Sequence, residues 1–136
     1  MGRLQETLSN VDPESGTDNG SVAVVGGSVA YPNQPALVGR AALRTGSDRV
    51  RAFVAEPTYE IVAGQSPNLL VDRYAGARFE GGAVDRALEV ADWADAFVIG
   101  LGLVDAEPAA VRETVRGVDV PTVIDALAIE PALESD

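Results

Sequence analysis

Apolar residues in this chain come either as short solid runs or as spaced rows. The run Val22-Ala23-Val24-Val25, closed by Gly26-Gly27, is the pattern of a strand buried on both faces of a sheet. After a polar turn over 28–33, residues 35–45 predict a helix. Pro35 stands at its start, Gly46 lies just past its end, and Leu37, Val38, Ala41 and Ala42 form its apolar face. A second strand is expected over 50–55, stopped by Glu56-Pro57, and a shorter third over 69–71. Val84, Ala87, Leu88 and Ala91 then fall at i, i+3, i+4 and i+7, with Asp85, Arg86, Glu89 and Asp92 opposite. This is an amphipathic helix. It runs into a strand over 95–99 that ends at Gly100-Leu101-Gly102. Asp105 is expected to cap a further helix, with Val111 and Val115 inward and Gly117 marking its end. A last strand over 121–124 ends at Asp125.

Strands alternating with helices across short turns predict right-handed βαβ units. The expected fold class is therefore α/β, a mostly parallel sheet with flanking helices, formed by residues 21–136. Residues 1–20, polar and interrupted by Pro13, are expected to be a tail or lead-in segment.

In open parallel sheets, ligands bind beyond the carboxyl ends of the strands. Three such ends stand out here: Gly26-Gly27-Ser28, Gly100-Leu101-Gly102 and Asp125. Glycines let backbone N–H groups approach a phosphate or ribose closely, although glycine also makes ordinary tight turns. Neither glycine pair has the GxGxxG spacing, and a P-loop needs a lysine that this chain lacks. The residues alone thus predict a ligand at the strand ends and no particular reaction. Tyr31, after the first turn, suits stacking on a ring or packing on its own neighbours. Trp93 reads as core or rim packing, Glu56 and Glu60 as solvated carboxylates, and Arg44 as a complement to a helix dipole.

Charge narrows the partners. The net charge is −11, and all ten basic residues are arginine. With no basic stripe to displace phosphate counterions, nucleic acid is an unsuitable partner, and so is an anionic membrane. The acid excess with no lysine fits a salt-rich cytoplasm, where counterions screen the self-repulsion of surface carboxylates. No apolar run approaches the roughly 18–20 residues of a membrane span. The start of the chain lacks a secretory pattern. The absence of cysteine and histidine leaves Asp, Glu, Tyr or arginine-assisted water for any acid–base work.

Three stretches together, VAVVGGSVAYPNQPALVGRAALRTGSDRV (22–50), DAFVIGLGL (95–103) and VPTVIDA (120–126), resemble the ADP-dependent NAD(P)H-hydrate dehydratases of the ribokinase-like carbohydrate kinase superfamily. The resemblance covers about residues 15–130 in the family's order and spacing. It implies repair chemistry: water is eliminated from hydrated NADH or NADPH, driven by ADP or ATP with Mg2+. By position it implies a substrate site at Gly27, Ser28, Tyr31, Gln34, Gly100, Gly102 and Asp125, with Asp125 positioning water or metal rather than acting as the base. Capping of the turn that follows is an equal role for that carboxylate.

The departures from the family pattern are specific. Gly-Ala-Pro becomes Asn33-Gln34-Pro35, Gly-Pro-Gly-Leu-Gly becomes Gly100-Leu101-Gly102-Leu103-Val104, and Asp-Ala-Asp-Ala-Leu becomes Asp125-Ala126-Leu127-Ala128-Ile129. A lead-in basic step is replaced by Ser15-Gly16-Thr17. The family's later His turn and Gly-Thr-Gly-Asp motif are not in this sequence, so the expectation is an amino-terminal part, incomplete and inactive alone. Two other readings stay open. One is a binding or assembly module that forms a homo-oligomer or pairs with a missing carboxyl-terminal half. The other is part of a ribokinase-like small-molecule kinase.

Overall fold

The computed structural model describes residues 19–134. The lead-in expected over 1–20 therefore lies, up to residue 18, outside the described residues. Asn19 and Gly20 are tied down: the Asn19 backbone N–H donates to Asp48 Oδ2 (2.7 Å), and the Asp48 N–H to the Gly20 carbonyl (2.9 Å).

Five strands, β1 (Ser21–Val25), β2 (Arg49–Ala55), β3 (Leu69–Tyr74), β4 (Ala96–Ile99) and β5 (Thr122–Ile124), form one sheet in the order β3-β2-β1-β4-β5. Every pairing is parallel. The helices are α1 (Gln34–Arg44), α2 (Tyr59–Ala63), α3 (Val84–Trp93), α4 (Pro108–Gly117) and α5 (Ile129–Leu133). Short 3-10 turns lie at Glu56–Thr58, Gly81–Ala83 and Ala126–Ala128.

The solid apolar runs divide between two faces because side chains alternate along a strand. Ala23, Val25, Phe53, Ala55, Phe97 and Ile99 point to one face and pack with Val90, Ala91 and Val111 from α3 and α4. Val24, Val50, Ala52 and Val54 point to the other, with Ala36 of α1, Val62 of α2 and Leu69. Phe53 and Phe97 are wholly buried, and each such side chain stabilises the fold by about 1.5–3 kcal/mol relative to exposure. Helix α1 lies close to the sheet because Gly39 faces Leu69 and Val50: a Cβ there would stand 2.8 Å from Leu69 Cδ1.

Two expectations need correction. Asp105 does not cap α4. It adopts φ +61°, its carbonyl accepts from Arg78 Nε (2.7 Å), and the helix begins at Pro108 after an extended Glu107. A residue before proline is pushed toward extended backbone, which makes Glu107 the N-cap and sets the helix start three residues beyond Asp105. Strand β3 runs to Tyr74 rather than stopping at Val71. Its polar end is held by side chains: Asp72 pairs with Arg51, and the Arg73 guanidinium lies 4.7 Å from the Tyr59 ring centroid. No described helix is long and apolar enough to cross a membrane.

Candidate functional site

The strand order fixes where a ligand pocket forms. From β1 the chain moves outward through β2 and β3, then returns to place β4 on the other side of β1. The loops after β1 and β4 therefore leave in opposite directions, which opens a crevice at their carboxyl ends.

Two backbone hydrogen bonds hold those loops together. The Gly27 N–H donates to the Leu101 carbonyl (2.7 Å), and the Gly100 N–H to the Val25 carbonyl (3.1 Å). On the next strand, the Asp125 N–H donates to the Ile99 carbonyl (2.9 Å). The turn after β1 closes on itself. The Tyr31 N–H reaches the Ser28 carbonyl (3.1 Å) and Ser28 Oγ (3.3 Å), so the buried Ser28 side chain is spent on shaping the turn that presents Tyr31.

Tyr31, Gln34, Gly102 and Asp125 line one open pocket of about 300 Å3, together with Leu101, Ala126 and Leu127. Tyr31 is exposed, and Gln34 stands at the first position of α1. Gly102 has φ +66°, and a Cβ on it would lie 2.8 Å from Gln34 Cγ and 3.0 Å from Tyr31 Cβ. Glycine at this position keeps the floor between those side chains open. Ala126, beside Asp125, has φ +46°, a conformation that costs a non-glycine residue roughly 1 kcal/mol or more and collects at functional turns.

Of the seven residues singled out from the sequence, four thus share the pocket. Gly27, Ser28 and Gly100 stand behind it. The Gly27 N–H is already bonded, and a Cβ there would meet the Pro35 ring at 2.8 Å. Gly100 packs under the loop after β5, where a Cβ would lie 2.0 Å from the Asp125 carbonyl oxygen. Leu101, Ala126 and Leu127 were not foreseen as lining residues. Leu127 carried a readable signal, because it stands where the resembling family has a second carboxylate. The backbone of Ala126 carried none.

Charge in the pocket is sparse. Asp125 is its one ionisable group apart from the Tyr31 phenol, and no basic side chain lines it. The other carboxylates with buried or half-buried partners serve the scaffold. Asp95 Oδ2 accepts from the Ser21 N–H (2.9 Å) at the opposite edge of the sheet. Asp72 joins Arg51 and Arg86, and Arg86 also meets Glu89 at 2.7 Å. The hydrogen bond that Arg86 donates to Glu89, followed by the charge of Asp72, raises the Arg86 pKa above its ordinary value. Among the described residues no group of three or more His, Cys, Asp or Glu side chains is placed to hold a metal ion.

A doubly wound parallel sheet with a sparsely charged crevice at its switch point is an α/β fold, here of the ribokinase-like type. The chain belongs to the NAD(P)H-hydrate dehydratase family, whose pattern matches residues 22–134. Over all 136 residues it is 66% identical to the ADP-dependent (S)-NAD(P)H-hydrate dehydratase of Haloterrigena turkmenica and 65% identical to that of Natrialba magadii. It covers 52% and 53% of those proteins. The chain spans about half the length of the curated relatives it matches, corresponding to their amino-terminal part. Among solved structures, a ribokinase-like superfamily protein of Enterococcus faecalis superposes with a TM-score of 0.69 at 16% identity, over 93% of this chain and 45% of that one. The ADP/ATP-dependent NAD(P)H-hydrate dehydratase of Bacillus subtilis, co-crystallised with ATP/Mg2+ and soaked with CoA, gives 0.63 at 21% identity, over 93% and 44%. These two likenesses establish the fold.

Proposed function

We propose that this chain forms the dinucleotide-facing part of an ADP-dependent (S)-NAD(P)H-hydrate dehydratase, in a salt-rich cytoplasm. The observation that carries the reading is the convergence of Tyr31, Gln34, Gly102 and Asp125 on one pocket at the switch point, in a chain that is 66% identical to a protein of that name. Tyr31 offers a ring face to a base or to the reduced nicotinamide ring. Gly102 lets that ring approach the backbone. The Gln34 amide and the Asp125 carboxylate orient the substrate's hydroxyl groups or a water molecule by hydrogen bonds.

The reaction removes the hydroxyl added on hydration together with a ring proton, and restores the conjugated dihydronicotinamide. Departure of the hydroxyl requires a general acid or conversion to a better leaving group. Asp125 is exposed, and its role in this reading is positioning. The pocket has no basic side chain to meet the charge of nucleotide phosphates, so in this reading it takes the ring end of the dinucleotide and leaves the phosphates outside. No cluster of three acidic groups is present among the described residues to hold magnesium by protein ligands alone, so Mg2+ would come with the phosphates of ADP or ATP. Holding ADP or ATP and Mg2+ therefore falls to polypeptide outside this chain, and the chain alone is inactive in this reading.

The test is made in roughly 2 M KCl, which shortens the screening length to a few ångströms. Hydrated NADPH is expected to raise the melting temperature of the chain, and unhydrated NADPH to raise it less. Gly102→Val should abolish the difference by filling the pocket. Turnover with ADP and Mg2+, followed as recovery of the dihydronicotinamide absorbance at about 340 nm, is expected to be absent. If hydrated NADPH leaves the melting temperature unchanged, the dinucleotide site is wrong. Turnover by the chain alone would overturn the division of labour.

A further inference from the structure

A second cavity, of about 380 Å3, lies at the carboxyl end of β3 and shares no lining residue with the pocket around Gly102. Its polar walls are Tyr74, Arg78, Glu80 and Glu107. Tyr74, the last residue of β3, is 5% exposed, its ring set against Phe53 and Phe79. Its hydroxyl has no hydrogen-bond partner among the described residues, yet none of their side-chain oxygens or nitrogens is both sealed from solvent and unpartnered. The hydroxyl therefore opens into the cavity. A tyrosine set this deep usually finds a partner for its O–H, and the fold supplies none. Glu107 is half-buried, and its carboxylate also has no ion pair or hydrogen bond among the described residues. It hangs over Gly81: Glu107 Oε1 lies 3.7 Å from where a Cβ on that glycine would stand. Arg78 is held from one side, Nε donating to the Asp105 carbonyl (2.7 Å), while Nη1 stands 3.7 Å from Glu80 Oε2, too far for a hydrogen bond. The frame around these groups is fixed by backbone bonds, from the Glu107 N–H to the Phe79 carbonyl (2.8 Å) and from the Ala83 N–H to the Glu80 carbonyl (2.8 Å).

We infer that this cavity binds a small zwitterion of the α-amino-acid type, with its ammonium group on the Glu107 carboxylate and the Tyr74 hydroxyl and its carboxylate on the Arg78 guanidinium. A carboxylate only accepts hydrogen bonds, a guanidinium only donates them, and a phenol does both. The open capacity of the cavity thus calls for a ligand that carries a donor and an acceptor side by side. A simple cation leaves Arg78 without an acceptor, and a simple anion meets the charge of Glu80 and Glu107. Concentrated salt weakens bare charge attraction, which leaves recognition to the directed, charge-assisted hydrogen bonds that such a ligand makes. The volume is in the range of small-molecule pockets, roughly 300–1,000 Å3, and far exceeds that of one bare metal ion. A Cβ on Gly82 would meet nothing within 4 Å, so the wall there leaves room for a short side chain. The site is separate from the dinucleotide pocket and stands whether or not the proposed reaction is correct.

The chain, in about 2 M KCl, is titrated with L-alanine while its amide NMR signals are followed. Ethylamine and propionate, each of which keeps one of the two charged groups of L-alanine, are titrated in parallel. L-Alanine is expected to shift the Gly81, Gly82 and Glu107 amides saturably, with a Kd of about 1 mM, while the Tyr31 and Gly102 amides stay in place. Ethylamine and propionate should each bind at least tenfold more weakly. Glu107→Gln should weaken L-alanine binding at least tenfold and Tyr74→Phe about threefold or more, while Glu60→Gln, outside the cavity, leaves it unchanged. Circular dichroism of each variant establishes that it folds. Absence of a saturable shift overturns the inference, as does binding that survives Glu107→Gln. Ethylamine binding as tightly as L-alanine would make the cavity a site for simple cations and overturn it as well.

Discussion

A methyl group added at Gly100 would lie 2.0 Å from the Asp125 carbonyl oxygen and 2.6 Å from Ala128 Cβ, on a backbone with φ +120°. Two penalties coincide there: a conformation L-residues avoid, and contact with backbone that cannot swing away. Gly100→Ala is expected to destabilise the chain by about 3 kcal/mol and to displace the loop carrying Asp125. At Gly82, beside the start of α3, the same methyl meets nothing within 4 Å. Gly82→Ala should change stability by no more than about 1 kcal/mol, in the stabilising direction. Thermal melts of the two variants in concentrated KCl check the contrast. Equal melting temperatures would show that the contact between the β4 and β5 loops is soft.

Tyr74 offers a test in pH. Its ring lies edge-on to Phe53 (5.1 Å) and Phe79 (5.5 Å), and burial pushes its phenol well above the ordinary value. The folded state holds the neutral phenol, while the unfolded state ionises it near pH 10. The resulting stability is complete below about pH 10 and is lost as pH rises from there toward the folded value. No lysine titrates in the same range, because the chain has none. Tyr74→Phe should therefore melt like the parent at pH 8 and hold its stability better at pH 11. An identical alkaline decline in both proteins would mean that the phenol is already hydrated in the folded state.

At the scale of elements, legibility followed the cause of each structure. β1, β2, β4, α1 and α3 were readable because solid apolar runs and a 3.6-residue row report burial directly. The helices α2 and α5, five residues each, were missed because a segment of little more than one turn never repeats its period. The end of β3 was missed because Asp72 and Arg73 look like loop residues, yet here they meet Arg51 and the Tyr59 ring. Asp105 misled because a cap requires a backbone geometry that residue type does not guarantee. The pocket was legible as a set of strand ends. Its division into lining residues and supporting glycines was not, because that depends on which N–H groups are already bonded. Gly27 donates to Leu101, and no spacing announces that bond.

For the molecule as a whole, the decisive quantity is charge. Twenty-one carboxylates against ten arginines leave −11. Two unit charges about 10 Å apart in water repel by about 0.4 kcal/mol. Summed over many pairs, this makes a penalty of several kcal/mol that folding must offset at low salt. The described ion pairs relieve it locally, as where Arg112 meets Glu134 at 2.7 Å and Arg86 meets Glu89, but exposed pairs contribute little each. Salt acts on the remainder by shortening the screening length from about 10 Å at 0.1 M to about 3 Å at 1 M. The melting temperature is accordingly expected to rise by on the order of 10 °C between 0.1 and 1 M KCl, since about 1 kcal/mol moves a domain of this size by roughly 4 °C. Beyond 1 M the curve should flatten if screening is the cause, because little repulsion is left to remove. A rise that continues undiminished to 3 M would instead assign the stabilisation to strengthened apolar burial. In that case Val123→Asp, a change at a β5 side chain that is 59% exposed, should leave the slope almost unchanged, because only surface buried on folding contributes to it.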